Sequence, residues 1–200
     1  MTTADLATPI PTVAAVTRGG DVDNRATYIS FGLAYILGHG AAAISQGESP
    51  LVTLPAWLPL TLLGIGLAIG TVCATVAALR AQRGASKPDV LSGQLLGLSW
   101  AVAFVALFLA ITGLSSSLAA PDLQAVLWPA GSGLIVGLMY LSEGAARRNI
   151  LHYSFGVWLA LVSTTALFFS TPGLFWILAV AGGGGYAVAT VLEFRRHRIR

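Results

Sequence analysis

Six stretches of almost unbroken apolar sequence follow one another along the chain, at about 26–45, 54–79, 91–114, 123–143, 150–170 and 173–192. Each is long enough to cross the hydrocarbon of a bilayer as a helix, which takes about 20 residues. The runs are continuous rather than alternating, which excludes membrane β-strands. Short polar connectors separate them: QGESPL, RAQRGASKPD, SSSLAAPD, EGAARRN and STP. The pattern predicts an all-α, polytopic membrane protein, with six transmembrane helices arranged as three out-and-back hairpins. Residues 1–24, with their Pro, Gly and Thr, read as a flexible cytoplasmic tail. Residues 25–195 form the membrane domain, and 196–200 a basic cytoplasmic tail. The first 24 residues lack a basic stretch followed by a compact apolar core, so they do not read as a secretory signal.

The punctuation agrees. The second, fourth and sixth runs open with proline: Pro55 and Pro59, Pro121 and Pro129, and Pro172. Proline is tolerated where a helix starts, because its missing N–H would have no partner there. Thr171-Pro172 reads as a cap followed by a first helical residue, and Asp23-Asn24 as the cap of the first span.

Composition narrows the class. The chain has 200 residues, 56% hydrophobic and 10% charged, with a mean hydropathy of +0.79. A soluble domain carries roughly 25% charged residues, so a soluble enzyme is excluded. The net charge of +3 and isoelectric point near 9.4 raise the question of nucleic acid, but the placement of the charges answers it. Arg18 and Arg25 precede span one; Arg80, Arg83 and Lys87 join spans two and three. Arg147 and Arg148 join spans four and five, and Arg195, Arg196, Arg198 and Arg200 follow span six. These are all 11 basic residues, and all fall on one side. The other side carries only Glu48 and Asp122. Positive loops stay in the cytoplasm, so both termini are expected there, in the plasma membrane. The basic residues are anchors to anionic lipid heads, and no nucleic-acid partner is expected. The single cysteine, Cys73, lies inside an apolar run and excludes an intrachain disulfide.

The hairpins share short words. Odd spans align on Ser30-Phe31-Gly32, Ser99-Trp100-Ala101 and Ser154-Phe155-Gly156. In the even spans Gly64, Gly66 and Gly70 match Gly131, Gly133 and Gly137 without a gap, and Gly185 falls opposite Gly137. The pattern suggests a pseudo-threefold repeat. In lipid, helices associate through close backbone contact at small residues, so these glycines are expected at helix contacts. The run Gly182 to Gly185 permits either tight packing or a break in span six.

Few polar groups lie at membrane depth. Tyr28, Gly32, Tyr35, His39 and Gln46 step along one face of span one. A polar stripe faces protein or water rather than lipid, and an ionisable residue in a span is a functional candidate by default. Through the repeat the stripe maps to Gly97, Ala101, Phe104 and Phe108 in span three, and to His152, Gly156, Leu159 and Ser163 in span five. A pathway lined by Tyr28, Tyr35, His39 and Ser163, narrowed by Phe104 and Phe108, is one reading; a packed core with an aromatic plug is the other. His152 and Tyr153 read as interfacial. Glu143 with Arg147, and Glu193 with Arg196 and His197, read as exposed ion pairs. Nucleophile–base pairs, metal-spaced clusters and phosphate loops are missing from the sequence, so no catalysis and no metal or other cofactor is expected. A paired-histidine haem site is not expected, because His39 and His152 start from opposite ends of parallel spans.

Two stretches carry a family likeness. Gly70-Thr-Val-Cys73-Ala-Thr-Val-Ala77-Ala-Leu-Arg80 with Gly84 resembles the second span of the acetate-uptake transporters. That family's glutamine and glutamate positions are here Cys73 and Arg80, and its N-P-A-P-L word is replaced by Asp23-Asn24-Arg25-Ala26-Thr27. Trp128-Pro129-Ala130-Gly131-Ser132-Gly133-Leu134, then Gly137 and Tyr140-Leu141, resembles the urea/amide channels. Both families are six-span proteins that form hexamers with a pathway through each protomer. The likeness covers about residues 24–195 and implies passage of a small solute, a weak acid or an amide, by a homo-oligomer in the bilayer. The words DNRATYISFGLAYILGHGAAA and LMYLSEGAARRN also resemble uncharacterised actinobacterial six-span proteins that carry a generic ABC-transporter permease label. ATP coupling is not implied, since EGAARRN lacks the E-A-A-x-x-x-G spacing that docks an ATPase. The alternative is a non-transporting scaffold or an accessory permease subunit.

The charge asymmetry makes a direct prediction. Single cysteines placed at Ser49, Ser116, Ser86 and Asn149 in a Cys73→Ala background should react with impermeant reagent in intact cells only at the first two. Labelling at Ser86 would overturn the topology.

Overall fold

The computed structural model describes residues 22–198. The expected tail at 1–24 lies outside it except for its last three residues. Six helical rods make up the described chain: α1 (Arg25–Ser45), α2 (Leu58–Gln82), α3 (Lys87–Ser117), α4 (Leu123–Ala146), α5 (Ile150–Ala166) and α6 (Gly173–Arg198). Five of them are long and apolar enough to cross a membrane. The fifth, α5, has 17 residues, against the 21 expected at 150–170. At 1.5 Å per residue it spans about 26 Å, at the lower limit for a crossing. The chain is an integral, multi-pass membrane protein.

Neighbouring helices run antiparallel, as successive glycine contacts show. A Cβ added at Gly38, Gly66 or Gly70 of the first hairpin would meet Leu63, Ala34 or Phe31 across it. Going up α1, its partners come down α2. In the same way Gly137 meets Ala160, and Gly156 meets Leu141, along the α4–α5 contact. Gly32 meets Tyr186 and Gly182 meets Tyr35, along α1 and α6. This alternation brings every described basic residue to one end of the bundle.

The core is made by α1, α4, α5 and α6. Tyr28, Leu159, Leu174, Leu178 and Tyr186 are almost fully buried in it. The other two helices are peripheral. In α2 only Pro59 and Gly70 are buried, and in α3 only Ile111 and Ser115. Their long apolar faces suit lipid, which needs no polar partner.

The shared glycine words do not share their partners. Gly66 and Gly70 pack within their own hairpin, on α1, whereas Gly133 and Gly137 pack on α5 of the next hairpin. Gly185 meets Trp158 and Phe155, also on α5. Gly131 meets Leu107 of α3, but a Cβ at Gly64 would meet nothing. Gly64 faces outward, so the expected packing role fails there.

The helix ends adjust three expectations. Asn24 makes no side-chain cap; Asp23 caps α1 instead, its Oδ1 accepting the Arg25 N–H at 3.1 Å. Pro172 stands one residue ahead of α6 rather than in its first turn. The last helix also continues through Arg196 to Arg198, where a tail was expected, because its final turn is tied to the start of α1.

Gly137 lies where a side chain has no room. Its added Cβ would come to 2.5 Å from the Ala160 nitrogen and 2.8 Å from the Gly156 oxygen, and backbone cannot step aside as a side-chain tip can. Leu138 next to it is 46% exposed. Gly137→Leu should therefore cost about 1–3 kcal/mol or more through overpacking, while Leu138→Ala should cost less. Melting of the detergent-solubilised chain measures both; equal losses would mean that Gly137 is not a tight contact.

Candidate functional site

The polar stripe of span one faces inward. Tyr28, Gly32, Tyr35 and His39 are all buried, while Gln46 lies exposed just beyond the helix. Two features of this buried face carry chemistry: a pair of irregular turns at membrane depth, and a hydrogen-bonded line at the basic end.

The irregular turns are π-helical. One occupies Tyr35–His39 in α1, the other Leu178–Gly182 in α6. They lie against each other: a Cβ on Gly182 would fall 2.7 Å from the Tyr35 ring, and one on Gly183 would fall 2.5 Å from Ile36. A π-turn widens the helix by a residue and disturbs its hydrogen-bond ladder, often at functional positions. In hydrocarbon a disturbed carbonyl needs a partner. The Ala181 carbonyl receives one, the Trp158 indole N–H at 2.9 Å. His39 stands at the end of the α1 turn, edge-on to Tyr35 with centroids 4.9 Å apart and stacked on Phe175 at 6.1 Å. Tyr35 and Ser163 both border the space where a Gly133 side chain would go. The structure thus brings Tyr35, His39 and Ser163 into one neighbourhood, with Tyr28 further toward the basic end.

Phe104 and Phe108 do not join them. Phe104 stacks on Trp100 at 6.2 Å, and Phe108, 51% exposed, leans on Trp128 at 6.4 Å. At the level of these rings α3 packs on α4, away from the stripe, so they form no constriction opposite His39. The stripe is covered instead by Tyr186, Phe155 and Phe175. A groove of about 400 Å³ does occur between α5 and α6. It is lined by apolar groups such as Trp158, Val180 and Val188 and lies on the outside of the bundle.

The hydrogen-bonded line was hidden in residues that read as surface. His152 is buried, and its Nδ1 lies 2.6 Å from the Tyr28 hydroxyl. Its Nε2 lies 3.4 Å from Glu143 Oε2. The other oxygen of Glu143 accepts the Trp100 indole N–H at 2.7 Å. Glu143 is thus no simple exposed partner of Arg147. Four helices meet at this point: α1, α3, α4 and α5. The α5 cap helps to place the imidazole, since Asn149 Oδ1 accepts the His152 backbone N–H at 3.1 Å. Tyr153 remains 42% exposed, as an interfacial residue should. Spacing alone could have hinted at Glu143 and His152: Glu143 opens the EGAARRN connector and His152 sits one turn beyond it, on the two helices that it joins.

Glu193 also departs from expectation. It is fully buried. Its Oε1 accepts from Arg196 Nη2 at 2.6 Å and from the Asn24 backbone N–H at 3.2 Å. Arg196 Nη2 also reaches the Val22 carbonyl at 3.2 Å. Asp23 pairs with Arg25 at 2.6 Å, and His197 lies 3.7 Å from Asp23. Three possible ligand atoms, from Asp23, Glu193 and His197, come within 4.8 Å of one another. Arg25 and Arg196 already neutralise the two carboxylates, so no metal is assigned to the cluster. It ties the start of α1 to the end of α6.

No protein-family profile, curated protein or solved structure matches the chain.

The terminal network predicts two unequal losses. Glu193→Ala takes a fully buried acceptor away from the part-buried Arg196 and the Asn24 N–H and should cost about 1.5–3 kcal/mol. Asp23→Asn touches an exposed pair and should cost under about 1 kcal/mol. The Arg25 guanidinium hydrogen-bonded to Asp23 holds its carboxyl below the usual carboxylate range. A lowered folded pKa gives stability that is present above the unfolded value of about 3.9 and is lost as pH falls through the folded value. The small Asp23→Asn deficit should therefore be present at neutral pH and close in acid, as melting curves across pH would reveal.

Proposed function

We propose that the chain passes a small polar solute, a weak acid or an amide, through a gate formed where the two π-turns meet, and that the packed arrangement is its closed state. The observation that carries this reading is the contact between Tyr35–His39 and Leu178–Gly182 at membrane depth. Irregular backbone inside a membrane is tolerated where it is buried in protein or lines a cavity, and interrupted helices are a recurring way to build a solute site near the midplane. Tyr35, His39 and Ser163 supply the polar groups. Glycines at 182 and 183 leave α6 without side chains at the contact, so a small slip would separate the turns. The family likenesses of spans two and four point the same way. In this reading the basic end lies in the cytoplasm, the membrane is the plasma membrane, the hairpins descend from a threefold repeat, and the outer faces of α2 and α3 meet lipid or further copies of the chain.

A second reading, a scaffold or accessory permease subunit, is favoured by the covering of the stripe: Gly32 is packed under Tyr186, whose Cβ would lie 3.0 Å from a Cβ added at Gly32. Flux separates the two. Proteoliposomes should take up urea, acetamide or acetate faster than empty liposomes, and His39→Ala should slow that uptake. Phe108→Ala should leave it unchanged, because Phe108 points away from the turns. Uptake at the empty-liposome rate, from folded protein and for all three solutes, would favour the scaffold.

A further inference from the structure

We infer that Glu143, His152 and Tyr28, continued by Tyr186 and by Tyr35 and His39 of the proposed gate, form a line that carries protons through the bundle. The inference does not need a solute to move.

The line begins at the basic end. The Glu143 side chain is 21% exposed and the His152 side chain 4%, so the carboxylate is the member that water can reach. Beyond it the line is dry. A neutral imidazole holds a proton on one ring nitrogen and a lone pair on the other. With Nε2 toward Glu143 and Nδ1 toward Tyr28, a proton can arrive on one side and leave from the other. The balance is simple. A proton on Glu143 moves to Nε2; Nδ1 gives its proton to the Tyr28 oxygen as Tyr28 gives its hydroxyl proton onward. One proton enters, one leaves, and no other bond changes; rotation of the ring restores the starting tautomer.

Beyond Tyr28, aromatic rings follow one another in contact. The Tyr28 ring lies 6.3 Å from Tyr186 and 6.2 Å from Tyr140. Tyr186 lies 5.3 Å from Tyr35, and Tyr35 lies 4.9 Å from His39. Eleven residues of α1 separate Tyr28 from His39, about 16 Å along the axis, half a bilayer core. The buried Tyr140 and Ser163 hydroxyls lie beside this row, next to Tyr186 and Tyr35. Phe155, Leu159 and Leu174 close the surroundings to anything larger.

The charges around His152 set its load. From α4 it meets Glu143 and Tyr140, with Arg147 acting on Glu143. From α1 it meets Tyr28, on which Glu193 and Arg196 of α6 also act. From α3, Trp100 holds the far oxygen of Glu143.

The test uses the full chain in phosphatidylcholine vesicles that enclose a pH-sensitive dye, under a valinomycin–potassium potential and with no solute. Acidification should run faster than in protein-free vesicles. Tyr28→Phe and His152→Gln should return it to the protein-free rate. Tyr35→Phe removes only an oxygen from a ring that stays packed, and should do the same if the line continues past Tyr28. Wild-type acidification at the protein-free rate, or unchanged acidification in folded Tyr28→Phe or Tyr35→Phe, would overturn the inference. Solute uptake is scored in separate vesicles. Protein that moves urea or acetate but no protons overturns the proton line alone; protein that moves protons alone supports the line and tells against the solute gate.

Discussion

Lipid supplies no hydrophobic reason for one helix to leave it and join another. Everything in this bundle follows from how that lack is made good. Where side chains are absent, backbones approach closely: Gly137 and Gly156 draw α4 and α5 together, and Gly32 and Gly182 draw α1 onto α6. Where polar groups are present, they find one another: Tyr28 with His152, Trp100 with Glu143, Glu193 with Arg196. Helices α2 and α3 stay at the edge, α2 held to α1 through Gly66 and Gly70 and α3 held to α4 through Trp100. The division between core and periphery follows the polar side chains and with them the mean hydropathy, which is 2.2 and 2.3 in α2 and α3 against 1.3 to 1.7 in α1, α4 and α6.

This division explains what could be read along the chain. The helices were legible because continuous apolar runs of this length have one meaning in a membrane protein. The common end of the basic residues follows from strict alternation. The inward face of span one was legible too, because Tyr28, Tyr35 and His39 repeat at helical spacing. The partners of that face were not. Phe108 was carried over from His39 by an assumed equivalence between hairpins, but α3 packs outside α4 and turns Phe108 away. Glu143 and Glu193 looked like surface acids because each has a basic residue one turn on. Local spacing cannot reveal that Trp100 lies 43 positions from Glu143 in sequence, or Asn24 169 positions from Glu193, and these distant groups are what draw the carboxylates inward. The π-turns were hidden for a similar reason. Nothing in Tyr35–His39 or Leu178–Gly182 breaks a helix by composition, except for the glycines, and a widened turn is decided by the surface it must fit.

The two kinds of polar site differ in how they are held. The Glu193 network is fully paired at its Oε1 and joins two helix ends, as a clasp would. The Glu143–His152–Tyr28 line is strung between four helices and leads into the buried tyrosines of the core. The first fastens two helix ends, and the second links a carboxylate that water can reach to the interior.

The clasp between Asn24 and Glu193 also bears on how the chain is made. The first helix enters the membrane with Tyr28, Tyr35 and His39 on one flank, and its cover is the last helix. A ribosome working at about 5–20 residues per second needs roughly ten to thirty seconds to traverse the intervening chain. Throughout that interval α1 lacks its partner, and its polar flank must be borne by lipid, by water near the headgroups or by an insertion factor. A nascent chain stalled before Tyr186 would display that flank indefinitely. The polar flank of α1 is therefore covered only once α6 has been inserted.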